Sequence, residues 1–109
     1  MPVYHKLVRD LIPQLIEKNG KKFSTRILDD NEYITALKAK LEEEIEEYLN
    51  AENNQDSLEE LADVLELIYA LAKTHGESFE KIEEIRRQKA EKRGGFNEKV
   101  YLIEVEDNQ

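Results

Sequence analysis

The chain has no cysteine, so neither a disulfide framework nor a thiolate metal site can form. It is also short of positive charge: 16 Lys and Arg stand against 25 Asp and Glu, a formal net charge of −9. General nucleic-acid binding, which needs a basic face to neutralise phosphates, is therefore not expected. Any phosphate ligand needs a local cluster of cations. Long apolar runs are missing as well. The opening "MPVYHKLVRD" is followed by no uninterrupted apolar core of a signal peptide. The longest apolar stretch, "LADVLELIYALA", is broken by Asp63 and Glu66 and is too short to span a bilayer. The expectation is a soluble, cytoplasmic protein that uses no membrane. No internal repeat, Ser/Pro-rich linker or composition break divides the 109 residues, so a single domain over 1–109 is expected. Nor is there a Walker-type glycine loop, which excludes a P-loop mechanism. A chain of this length buries a small core, so association with a second copy is a reasonable expectation.

What is present is helical patterning. Val8, Leu11, Ile12, Leu15 and Ile16 recur at helical spacing, with Asp10 as a candidate N-cap, Pro13 near the start and Gly20 as a stop. Asp29 and Glu32 are spaced as a capping box for a second helix over about residues 30–52. A third is expected over about 57–74, ending near Gly76, and a fourth runs from Ser78 to Arg93 before Gly94-Gly95. "KKFSTRIL" and "KVYLIEV" read as strands. The predicted fold is all-α, a four- to five-helix bundle, with a minor β-ribbon from residues about 22–28 and 99–105.

The second helix carries "KLEEEIEEYL", with glutamate at 42, 43, 44, 46 and 47. At about 100° per residue, Ile34, Leu37, Leu41, Ile45 and Tyr48 form the inner stripe. Glu43, Glu44 and Glu47 share an arc on one flank, with Lys40 one turn before them. By itself such a run is most simply a solvated surface with an intrahelical ion pair. The third helix alters that balance. Leu58, Leu61, Val64, Leu65, Leu67, Ile68, Tyr69, Leu71 and Ala72 surround most of its circumference, which implies burial between neighbours or in an oligomer interface. Glu60 projects at nearly the angle of Leu67 and Leu71, and Asp63 lies one turn on. Ser57 with Glu60, or Asp56 with Glu59, could form a capping box there. Nothing comparable explains Asp63. A buried carboxylate must be paired or hold a metal, because desolvating it alone costs several kcal/mol. On the fourth helix the inner stripe of Phe79, Ile82 and Ile85 gives way to Arg86, Lys89 and Arg93, cations that suit a helix C-terminus or a polar pocket.

Carboxylates from two adjacent helices make a hard, oxygen-rich site suited to Mg²⁺ or Mn²⁺. With cations nearby to hold phosphate oxygens, the reaction class this favours is metal-dependent hydrolysis of a phosphoanhydride.

These residues resemble the MazG-like, all-α nucleoside triphosphate pyrophosphohydrolases. The family's E-E-x-x-E followed by E-x-x-D is matched by Glu43-Glu44-Ile45-Glu46-Glu47 and Glu60-Leu61-Ala62-Asp63, with twelve residues between. Lys40 matches a lysine frequent in that family, and "KAEKRGGF" is similar to its downstream K-x-x-x-R-x-x-F. "KLVRDLIP" looks like the phosphoribosyl-ATP pyrophosphohydrolase-like subgroup. The resemblance implies Mg²⁺-dependent cleavage (with Mn²⁺ as a possible substitute) between the α- and β-phosphates of a nucleotide, giving a monophosphate and pyrophosphate. It implies Glu44, Glu47, Glu60 and Asp63 as metal ligands, and a catalytic acid set of Glu43, Glu44 and Glu47, with Glu43 as the accessory or water-positioning group. Lys40, Lys89 and Arg93 would contact substrate phosphates. Lys6 and Arg9 join them if the N-terminal segment folds over the site. A homodimer or homotetramer is implied too. The alternatives are a helical module that senses nucleotide or binds a partner without catalysis, and a genuine phosphoribosyl-ATP pyrophosphohydrolase.

Overall fold

A computed structural model describes residues 3–107 and contains four helices. They are α1 (Ile12–Lys18), α2 (Asp30–Asn50), α3 (Asn54–Thr74) and α4 (Phe79–Arg93). The fold is all-α. Helices α2 and α3 form an antiparallel hairpin around the turn at residues 51–53, and α4 packs on α3 alone.

Local chemistry fixes the ends. The α2 start is the capping box expected from the sequence: the Asp29 carboxylate accepts from the Glu32 amide at 2.8 Å, and Glu32 accepts from the Asp29 amide at 3.2 Å. Such a cap stabilises a helix by about 1 kcal/mol. Arg26 grips Glu32 through both guanidinium nitrogens, at 3.1 and 2.8 Å, which holds the Glu32 carboxyl down at about 2. Past α3 the chain reverses at Gly76 (φ 76°), and α4 ends at Gly94 (φ 81°), both in the left-handed region open to glycine.

Other ends differ from expectation. Helix α1 is capped by Leu11, not Asp10, with no side-chain cap bond, and Pro13 occupies its first turn. Helix α3 begins earlier than expected, because the Asn53 side chain accepts from the Asp56 amide at 2.8 Å. Neither Ser57 nor Asp56 is the N-cap, so Glu60 is free of any capping duty. Ser78 stands at the α4 N-cap position without a side-chain cap bond to the helix.

The expected β-ribbon does not form. Residues 22–28 and 99–105 belong to no strand, and their apolar side chains stand open: Ile27, Val100, Tyr101 and Ile103 are all exposed. Strand-like composition needs a backbone partner, and the two segments do not find each other.

The core is thin. Among the described residues the buried apolar side chains are Leu37, Leu67 and Ala72, all at helix contacts. Leu67 faces α2, while Ala72 lies towards α4, where Tyr69 stacks on Phe79 with ring centroids 4.1 Å apart. On the side away from α2, the stripe that α4 covers at Tyr69 and Ala72 lies open towards the helix start, with Leu58, Leu61 and Leu65 exposed. The molecule is elongated, at 68 × 36 × 24 Å, with a radius of gyration of 19.2 Å. A compact chain of this length has a radius near 13 Å. The all-round apolar character of α3 is therefore met by α2 along one side and by α4 only at the C-terminal end of the other.

Candidate metal centre

The hairpin brings the acids of α2 and α3 to one place. Glu44 comes from the flank of α2 beside Leu37 and is 7% exposed, the one buried charged side chain among the described residues. Glu60 and Asp63 project from the α3 face that packs on α2, both half-buried. Carboxylate oxygens of Glu44, Glu60 and Asp63 lie within 4.8 Å of one another, and so do those of Glu43, Glu44 and Glu47. Glu44 belongs to both groups, so the five acids form one continuous cluster. Glu43 and Glu47 face outward on its solvent side.

Two cations answer these five anions. Lys40 Nζ is 3.8 Å from Glu44 Oε1, one turn along α2. From the N-terminal segment, Arg9 Nη2 donates to Asp63 Oδ1 at 2.7 Å. The balance stays negative. Two carboxylates at 4.8 Å repel by about 3 kcal/mol at an effective dielectric near 20. One oxygen of Glu44 and one of Glu60, Oε2 in each, are buried with no hydrogen-bond partner. As carboxylates the two offer each other only acceptors, so a hydrogen bond between them requires a retained proton.

The protonation behaviour follows. Burial, then proton-sharing contact with Glu60 and Glu47, then the charges of Glu47 and Asp63 push Glu44 up to about 7. For Glu60 the contact with Glu44 works downward. Its contact with Glu47, its burial and the Glu47 and Asp63 charges outweigh that, and its carboxyl is raised. Clusters of this kind are settled by protons or by a cation. The orphaned oxygens of Glu44 and Glu60, with Glu47 and Asp63 beside them, fit a hard divalent cation. The acid cluster can bind a divalent metal.

A cavity of about 290 Å³ opens beside the cluster. Lys40 and Glu44 contribute from α2, and Asp63, Glu66 and Leu67 from α3. Its remaining wall is the N-terminal segment, through Lys6, Val8, Arg9 and Ile12. Lys89 and Arg93 are exposed on the last turns of α4 and do not line this cavity.

The family model described as phosphoribosyl-ATP pyrophosphohydrolase matches residues 5–90. The chain belongs to that family. The matched span holds all five acids of the cluster together with Lys6, Arg9, Lys40 and Lys89, while Arg93 lies just beyond it. An uncharacterized protein of Mycolicibacterium smegmatis is 46% identical over 54 residues, a stretch covering 50% of this chain and 55% of that protein. No solved structure matches the chain. No helix among the described residues is long and apolar enough to cross a membrane.

Sequence reasoning thus located all five acids and Lys40, and the structure gathers them. It did not find Glu66, which carries no motif, and it gave Lys6 and Arg9 only a conditional place. Val8 and Ile12 read as core residues of a helix, yet they line the cavity. Their contact with the α2–α3 hairpin spans too much sequence for periodicity to reveal it.

Proposed function

We propose that this chain is a divalent-cation-dependent nucleotide pyrophosphohydrolase, with Mg²⁺ as the working ion and Mn²⁺ as a substitute. The observation that carries this reading is the pair of buried, unpartnered carboxylate oxygens on Glu44 and Glu60 at the centre of a five-acid cluster. In this reading Glu44, Glu47, Glu60 and Asp63 hold the cation. When bound, it would polarise the phosphoryl oxygens and acidify a water.

The chain's own groups supply the rest. Glu43, exposed at the rim of the cluster, positions the attacking water and accepts its proton. The water oxygen bonds to the α-phosphorus as the bond from that phosphorus to the bridging oxygen breaks. Pyrophosphate leaves with the electron pair, and a nucleoside monophosphate remains. Lys40, one-fifth exposed on its side chain and already 3.8 Å from Glu44, neutralises a phosphate at the same point. Lys89 and Arg93 belong to the motif and are proposed as further phosphate contacts. A single domain, a cytoplasmic setting and no use of nucleic acid or membrane complete the reading.

A second copy of the chain is part of this proposal. Leu58, Leu61 and Leu65 present an open apolar stripe on α3, and the buried apolar side chains among the described residues are three. An apolar face of this kind is suited to a homodimer or homotetramer interface.

The test is pyrophosphate release from a panel of nucleoside triphosphates and phosphoribosyl-ATP, with and without Mg²⁺. Release is expected from at least one nucleotide, only with the cation. It should fall by more than about 100-fold in Glu47→Gln and in Asp63→Asn, because losing even an outer partner of a metal ligand costs 10–100-fold. Activity indifferent to both substitutions rejects the site.

A further inference from the structure

Among the described residues the cations lining the cavity are Lys6, Arg9 and Lys40, and two of the three come from the N-terminal segment. That segment has no helical structure before α1, and α1 packs on no other helix. It is seated over the hairpin by Val8 and Ile12, which line the cavity with Leu67, and pinned by the Arg9–Asp63 ion pair. Both partners of that pair are partly exposed, at 55% and 39% of their side chains. Exposed pairs stabilise by about 1 kcal/mol or less, so this one is readily exchanged. Asp63 is also an acid of the buried cluster, and its carboxylate cannot neutralise a guanidinium and a cation equally well. Lys6, three residues before Arg9, rests over the Tyr4 ring at 5.5 Å, another weak and exposed contact.

Resting on the pyrophosphohydrolase reading, we propose that Arg9 and Lys6 bind the substrate's phosphate groups, and that Arg9 exchanges Asp63 for phosphate when the acids take up their cation. Arg9 is the counter-ion of the cluster in the free protein. Its guanidinium is suited to gripping two phosphate oxygens at once. Facing Lys40 across the cavity, Arg9 and Lys6 surround the phosphate chain with positive charge from two separate parts of the fold. The N-terminal segment is thereby a strap whose anchor passes from Asp63 to the ligand.

The test separates cation from nucleotide. Calorimetry follows Mn²⁺ binding without nucleotide, and binding of a non-hydrolysable nucleoside triphosphate analogue in the presence of Mn²⁺. In Arg9→Ala, Mn²⁺ should bind as tightly as in the wild type or a few-fold more tightly, because a competitor for Asp63 is gone. The analogue should bind about tenfold or more weakly, the worth of one charge-assisted hydrogen bond. Arg9→Lys should fall between the two, and Lys6→Ala should weaken the analogue while leaving Mn²⁺ untouched. Analogue affinity unchanged in both alanine variants, or Mn²⁺ and analogue affinity falling together, overturns the proposal. Wild-type pyrophosphate release is measured alongside. If the wild type releases none, the enzymatic reading fails. If it does and the Arg9 and Lys6 variants bind like the wild type, only the strap's role fails.

Discussion

With divalent cations removed, Glu44→Gln melts at a higher temperature than the wild type at pH 8, while losing its activity with cations restored. The wild-type Glu44 carboxyl sits at about 7 in the fold and near 4.5 when exposed. The sign follows from proton binding. Below pH 4.5 the group is protonated in both states and stability is unaffected. Between 4.5 and 7 the unfolded chain gives up its proton while the fold retains it, so stability falls as pH rises. Above about 7 the fold is ionised too, and the full cost remains, on the order of 3 kcal/mol. Glutamine removes that cost. It also strands Lys40, whose largely buried pair with Glu44 at 3.8 Å offsets part of that gain. What remains of the gain is read as a rise in melting temperature. Melting curves in chelator from pH 5 to 8 check it: the wild type should decline across this range, and Glu44→Gln should decline much less, with the residual slope set by Glu60. A wild-type curve that is flat over this range contradicts the assignment. The accompanying loss of activity marks a site where stability is given up for cation binding.

The second large effect belongs to the open face of α3. Leu65→Glu should abolish self-association and lower the melting temperature by more than about 10 °C, or leave the chain unfolded. Leu65 is 44% exposed in the protomer, so a glutamate there would normally change stability by only about half a kcal/mol. The larger effect arises because, among the described residues, two leucines and an alanine are the buried apolar side chains, a small core for an elongated protomer. In the proposed assembly a second copy would supply the missing burial, making folding and association one equilibrium. Sedimentation of the wild type gives the copy number, and its melting temperature should rise with protein concentration. A monomeric wild type, or a Leu65→Glu variant that melts with it, removes the second copy from the account.

The helices were legible because their signals are local. Asp29 and Glu32 form the expected capping box, and Gly76 and Gly94 turn the chain where the apolar periodicity stops. The α3 start was misplaced because Asn53, Asp56 and Ser57 are all competent caps within five positions, and only the folded geometry chooses Asn53. The ribbon failed for the opposite reason: β-branched residues at 22–28 and 99–105 state a preference that only a partner can realise. The acid cluster was legible because Glu60 and Asp63 interrupt a helix whose other residues are largely apolar. The Arg9–Asp63 pair was not. It joins residues 54 positions apart, and no periodicity or spacing encodes that contact.

Titration of the cation-free protein with Mn²⁺, followed by calorimetry, tests the acid cluster most directly. Saturable binding is predicted, displaced by Mg²⁺ and lost in both Glu44→Gln and Asp63→Asn at a pH where the wild-type cluster is ionised. No saturable binding, or binding unchanged in both variants, contradicts a divalent-cation centre between α2 and α3.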